Sequence, residues 1–251
     1  MQKRSPILLI MLLLLLPTTA RSTELNQETI LRNFEIIAFG SEYQNKTWKG
    51  LRKWVDPVRI GLQGKYPSYL EDEIKQFTAD LTSITSHPVG LYYSHSMKKN
   101  HTLPKNFNRK KVNVIVFYEP LHNIKKKLGK YFKDRPHELD ILLKEATCFA
   151  KFFTRRFEIR AAIVVIPDHI SHRYARACVV EEISQILGLP NDSNLVGDSI
   201  FRDRGKYNEL TSQDRLLLRI LYDHRLVFGM SRPETLEQVS IFLPELMEEG
   251  K

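Results

Sequence analysis

Five polar residues towards the end of a predicted helix are the most chemically capable group in this sequence. They are carboxylates and amides: Glu181, Glu182, Gln185, Asn191 and Asp192. Residues four apart share one face of a helix, so Glu181 and Gln185 are expected to point the same way. Together with Asp192 and Asp198, they offer oxygen ligands, which suit calcium or magnesium better than zinc. The same pattern is also typical of an ordinary solvated helix face, so it does not assign a function alone.

This stretch resembles the active-site helix of metzincin peptidases, the matrixins in particular, whose pattern is H-E-x-x-H-x-x-G-x-x-H. Glu182 matches the catalytic glutamate and Gly188 the glycine at the turn. The three zinc-binding histidines are replaced by Glu181, Gln185 and Asn191. The resemblance implies a zincin-like fold whose site has lost its zinc ligands. We therefore expect no zinc, and a catalytic role for Glu182 only if the site is active.

The resemblance continues beyond this helix. Phe201 stands where matrixins place the methionine of their methionine turn, and the spacing from Asp214 to Tyr222 matches their closing helix. Over residues 54–230 the chain is more closely similar to a bacterial exported family, domain of unknown function 2927. That resemblance implies a periplasmic or secreted location, and it implies no established activity.

The first 22 residues have the order of a signal peptide. Lys3 and Arg4 form a cationic start, residues 7–16 are apolar, and small residues follow up to Ser22. The alternative is a membrane anchor, but the apolar run is about half of the ~20 residues that span a bilayer. We expect cleavage to leave residues 23–251 as a single domain with no stable membrane span.

Cys148 and Cys178 are the two cysteines of the chain. In an oxidising compartment a lone pair of cysteines usually forms a disulfide, and we predict one here. Two buried free thiols are the alternative.

Basic residues outnumber acidic ones, and the formal net charge of +9 falls to +6 without the three basic residues of the signal peptide. The excess lies in short clusters, among them residues 109–111 and 125–127. Such clusters indicate either a solvated surface or contact with an anionic polymer. No nucleic-acid-binding motif accompanies them, so nucleic acid is not an expected partner.

Hydrophobic periodicity predicts a mixture of helices and strands. The predicted helices cover residues 25–38, 69–84 with Ser68 as cap, 121–132, 138–150, 173–187, 211–222 with Thr211 as cap, and a segment after Pro233. The predicted strands cover residues 58–62, 89–93 and 112–118, and a hairpin covers residues 152–157 and 160–166. This order favours an α+β fold, with the mixed sheet and packed helices of a metzincin-type zincin.

These observations lead to one main hypothesis and two alternatives. The main hypothesis is an exported zincin-like protein with a degenerate site, which binds a peptide or an envelope component without cleaving it. The first alternative is a divergent metal-dependent hydrolase. The second is a structural envelope protein that contacts an anionic polymer through its basic face.

Overall fold

A computed structural model of the protein describes residues 26–41, 47–133, 136–202 and 207–248. The predicted signal peptide lies outside these residues. The helices described are α1 Gln27–Phe39, α2 Ser68–Thr85, α3 His95–Lys99, α4 Leu121–Leu128, α5 Pro136–Glu145, α6 His172–Gln185, α7 Ser212–Tyr222 and α8 Arg232–Glu248. The strands are β1 Lys53–Trp54, β2 Val58–Gly64, β3 Val89–Tyr93, β4 Val114–Glu119, β5 Phe149–Arg155 and β6 Glu158–Pro167. None of the helices in these ranges is long and apolar enough to cross a membrane.

The strands form one mixed sheet in which β3, β2, β4 and β6 are neighbours and run parallel. β5 pairs antiparallel with β6 and forms one edge. Short β1 lies parallel to the first residues of β6, with Lys53 opposite Glu158. The α+β class, the mixed sheet and the packed helices agree with the prediction.

Helices cover both faces of the sheet. On one face, α1, α2, α6, α7 and α8 enclose the larger core, which includes Phe34, Trp54 and Phe201. On the other face, α4 and α5 cover a smaller core around Phe117 and Phe149. Alternate residues of β6 supply the two cores, as the period of a strand requires.

Two local predictions were wrong. The helix predicted over residues 138–150 ends at Glu145, because Phe149 pairs with Val165 as the first residue of β5 and buries its ring under α4 and α5. Ser68 does not cap α2: the helix begins at Ser68 itself, after Pro67, with no side-chain cap. By contrast, Thr211 forms the predicted cap of α7, with Asp214 completing a capping box.

Candidate functional site

Helix α6 carries the residues that the sequence singled out, and its last turn is fixed by two neighbouring elements. The Trp54 indole N–H donates to the Ile186 carbonyl at 2.7 Å, and the Tyr222 hydroxyl donates to the Leu187 carbonyl at 2.8 Å. Carbonyls at the end of a helix have no partner within it, so these bonds satisfy groups that would otherwise be unpaired. Burial raises the pKa of Tyr222, which therefore remains a hydrogen-bond donor.

Gly188 makes the turn after α6, as predicted. Its φ of +124° lies in the region that favours glycine. A Cβ at this position would lie 2.2 Å from the Arg52 carbonyl oxygen. The turn therefore depends on glycine for its backbone angle and also for the close approach of the chain before β1.

The two amides at the matched zinc-ligand positions make structural hydrogen bonds. Gln185 donates from Nε2 to Asp192 Oδ1 at 2.8 Å. Asn191 donates from Nδ2 to the Ile36 carbonyl at 3.0 Å, near the end of α1. The structure thus brings Gln185 and Asp192 together as expected, whereas Asn191 is directed towards another helix.

The two carboxylates on α6 differ in exposure. Glu182 is buried with 4 % of its surface exposed, and Glu181 is half-buried. Within the described part of the chain, no group of three or more histidine, cysteine, aspartate or glutamate side chains is placed to hold a metal ion.

The loop after α6 is held by a buried carboxylate on α7. Asp214 accepts hydrogen bonds from the Ser199 hydroxyl at 2.5 Å, the Ile200 N–H at 3.1 Å and both donors of Thr211 at 2.8 Å. Burial raises the pKa of Asp214, although these hydrogen bonds oppose the rise. Phe201 is fully buried, and its carbonyl accepts from Ser193 N–H at 2.8 Å.

A disulfide joins Cys148 to Cys178 across a sequence separation of 30 residues, with the two Cα atoms 6.0 Å apart. It links the residue before β5 to the middle of α6. The predicted disulfide is therefore present, and it fixes the edge strand of the sheet to the helix that carries the candidate site.

Arg52 is a potential functional residue that the sequence analysis missed. It is 1 % exposed, and its guanidinium lies 4.3 Å from the centre of the Trp48 ring and 5.2 Å from that of Phe152 in β5. Nη2 donates to the Ala38 carbonyl at 2.7 Å, but the buried Nε and Nη1 have no hydrogen-bond partner among the residues that the structure describes. Burial lowers the pKa of Arg52 to about 9. Burying a cation with unpaired donors costs free energy of folding. The only signal in the sequence was an arginine close to the apolar residues Leu51 and Trp54.

No curated protein and no solved structure matches the chain. One family does match, over residues 27–240, which is most of the chain. The described domain, with its disulfide-linked edge strand and its glycine turn after α6, thus belongs to the family described as protein of unknown function (DUF2927).

Proposed function

We propose that the chain is an exported, non-catalytic binding protein of zincin layout, which holds a peptide or another envelope component along the free edge of β5. The observation that carries the proposal is that Gln185 and Asn191, at two of the three matched ligand positions, form hydrogen bonds within the protein. Their side chains therefore do not converge on a zinc ion. A catalytic zinc needs three converging ligands and an open position for water.

The layout of the chain supports a zincin relationship. A mixed sheet with one antiparallel edge strand precedes α6, and α6 follows directly after the last strand. Gly188 then turns the chain, and Phe201 lies buried in the following loop. These features occur in the order that the metzincin resemblance implies, with the zinc ligands and the turn methionine replaced.

The edge of the sheet supports binding of an extended peptide. Among the described residues, β5 pairs with β6 alone, so its outer backbone groups are available for a further strand. Peptides often bind by adding a strand to such an edge. Phe152 lies on the α6 face of the sheet, where half-buried Phe152 and exposed Trp48 pack against the Arg52 guanidinium and offer an apolar surface to alternate side chains of the peptide.

The compartment is part of the same proposal. A disulfide persists in oxidising environments, which include the bacterial periplasm and the exterior of the cell. The bond between Cys148 and Cys178 therefore supports export, as do the first 22 residues of the sequence.

Neighbouring phenylalanines of β5 provide the test. The full chain, purified after secretion, is titrated against an array of unstructured ten-residue peptides. Phe152 faces the α6 side, and Phe153 faces the α4 and α5 side. We expect Phe152→Ala to weaken binding about tenfold, since one well-packed aromatic contact is worth about 1.4 kcal/mol or more. Phe153→Ala is the matched control and should change affinity less than twofold.

Three outcomes would count against the proposal: no peptide binds, both variants weaken binding equally, or the protein turns a peptide over. Bound metal together with turnover that Glu182→Gln abolishes would establish the hydrolase alternative instead. Without metal and turnover, Glu182→Gln should leave peptide binding intact, because a lone carboxylate has no activated water to use.

A further inference from the structure

The connections of the sheet reverse direction between β2 and β4. After β2 the chain crosses by α2, on the face with the larger core, to β3. After β4 it leaves by α4 and α5, on the opposite face, before it reaches β5 and β6. Open α/β sheets bind ligands in the crevice outside the carboxyl ends of the strands at such a reversal. This topology marks a location well separated in sequence from the end of α6.

A cavity of about 540 Å³ lies at this place. The ends of β2, β3, β4 and β6 all contribute to it, through Gln63, Lys65, Tyr93, Glu119 and Asp168, and Arg109 closes one side. We call it the switch-point crevice. Its volume is within the range of about 300 to 1,000 Å³ that is usual for small-molecule sites.

Two cations of the crevice, Lys65 and Arg109, are not neutralised by an ion pair with a described residue. Within the part of the chain that the structure describes, neither Lys65 nor Arg109 forms an ion pair, and both are exposed to solvent. Lys127, by contrast, is paired with the buried carboxylate of Glu119 at the same site. The two unpaired cations are therefore the groups available to an anionic ligand.

The start of α4 adds to this positive potential. Pro120 and Asn123 line the crevice, and α4 begins at Leu121 without a side-chain cap. The N–H groups at the start of a helix favour negative charge. An anionic group in the crevice would thus meet two side-chain cations and an uncapped helix start.

The remaining lining suits a hydroxylated ring. Tyr93 lines the crevice as a half-buried aromatic ring, and Arg109 lies 5.6 Å from the centre of that ring. Burial and a hydrogen bond with Tyr69 raise the pKa of Tyr118 to about 12, so its hydroxyl stays protonated. The carboxylates of Glu119 and Asp168 accept hydrogen bonds, as sugar hydroxyls require.

We propose that the switch-point crevice binds a small acidic saccharide. Its phosphate or carboxylate contacts Lys65 and Arg109, its ring lies against Tyr93, and its hydroxyls donate to Glu119 and Asp168. This site is independent of the peptide-binding proposal, because it shares no residue with β5 or with the end of α6.

Calorimetric titration at low ionic strength tests the proposal, with four probes: glucuronate, a phosphorylated glucose, glucose and inorganic phosphate. We expect at least one of the two acidic sugars to bind about tenfold more tightly than both glucose and inorganic phosphate. Whichever acidic sugar binds more tightly identifies the anionic group. If glucose or inorganic phosphate binds as tightly as the acidic sugars, or if none binds, the proposal is wrong.

Two double variants with the same change of charge separate a defined site from a diffuse basic face. Lys65→Ala with Arg109→Ala should weaken binding of the preferred sugar about tenfold or more. Lys98→Ala with Lys110→Ala removes two exposed cations that do not line the crevice, and should change affinity less than twofold. Equal weakening by both pairs would overturn the site. Thermal unfolding of all variants verifies that each one is folded.

Discussion

Two polar regions of this molecule use their side chains in opposite ways. In the 181–201 segment, which runs from the carboxylates of α6 to Phe201, amides and carboxylates bond to one another and to backbone groups. In the switch-point crevice, Lys65 and Arg109 form no ion pair with any described residue and face solvent. The comparison indicates that the segment predicted to resemble an active site differs from the crevice whose charged side chains are open to a ligand.

The comparison also predicts how each region responds to substitution. Side chains that bond within the protein contribute to the free energy of unfolding, so their replacement should destabilise the domain. Exposed side chains that await a ligand contribute little to stability, so their replacement should affect binding alone. Four substitutions test the first of these expectations, the effect on stability.

The largest effect is expected for Gly188→Ala. Its new Cβ would lie 2.2 Å from the Arg52 carbonyl oxygen at a φ of +124°. We expect a loss of about 3 kcal/mol or more in the free energy of unfolding, measured by urea denaturation. Gly197→Ala is the control, because its φ is +69° and no atom lies within 4 Å of the new Cβ. That variant should lose only about 1 kcal/mol. Equal losses would mean that the turn after α6 is no more constrained than the loop.

Asp214→Asn is expected to lower the free energy of unfolding by about 2 to 3 kcal/mol. The amide offers one acceptor oxygen, whereas the carboxylate offers two to the same donors. Asp80→Asn removes a carboxylate that pairs with Arg215 at 2.8 Å on the surface between α2 and α7. Exposed ion pairs contribute less than about 1 kcal/mol, so this control should unfold almost like the original protein. Similar urea midpoints for the two variants would contradict the view that the 181–201 segment is held from α7.

Glu71→Gln should show a smaller effect that depends on pH. Burial alone would raise the pKa of Glu71, but hydrogen bonds from Lys75, Ser96 and Ser94 outweigh it and lower the pKa below 4.5. A lowered carboxyl pKa gives stability that is present above the unfolded value and lost as the pH falls through the folded value. We expect a loss of about 1 to 2 kcal/mol near pH 7.

The same variant should approach the original protein in stability as the pH falls through the lowered folded-state pKa of Glu71, below which both side chains are neutral. Urea denaturation across this range measures the difference. A difference that stays constant with pH would show that Glu71 acts by shape alone. Glu71 bonds to Ser96 in α3, next to His95, and His95 lines the switch-point crevice.

Arg52→Met should have the smallest effect on stability. Arg52 is an exception to the comparison, because it is buried but only part of its guanidinium is hydrogen-bonded. Its backbone carbonyl lies against Gly188, and two nitrogens of its buried guanidinium have no hydrogen-bond partner among the described residues. Replacing a buried charge by an apolar side chain of similar size is often neutral or stabilising, so we expect no loss of stability, or a gain of about 1 kcal/mol. A large loss of stability would assign Arg52 to the core alone.

Much of the fold could be predicted because local patterns agree with it. The strand over residues 89–93 and the Thr211 cap were predicted correctly, since strand propensity and capping chemistry are local. The boundary between α5 and β5 was not, because the position of Phe149 is decided by packing under two helices. Ser68 failed as a cap because Glu71 bonds to Ser96 in α3 rather than to the start of α2.

The candidate sites divide in the same way. Gln185, Asn191 and Asp192 are close in sequence, so a motif could identify them. The lining of the switch-point crevice comes from the ends of four strands, and only the topology of the sheet brings Lys65, Arg109 and Asp168 together. The unused donors of Arg52 likewise depend on which neighbours surround it, and no pattern in the sequence encodes that.

The exposed edge of β5 also bears on how the protein avoids aggregation. A free edge strand can pair with a second copy of itself, and natural sheets prevent this with charged residues. β5 ends in Arg155 and is followed by Arg156, both exposed. Parallel pairing of two copies of this edge would bring these cations near one another, whereas an acidic strand would be attracted. The charge at the end of β5 therefore disfavours parallel self-association and favours partners of opposite charge.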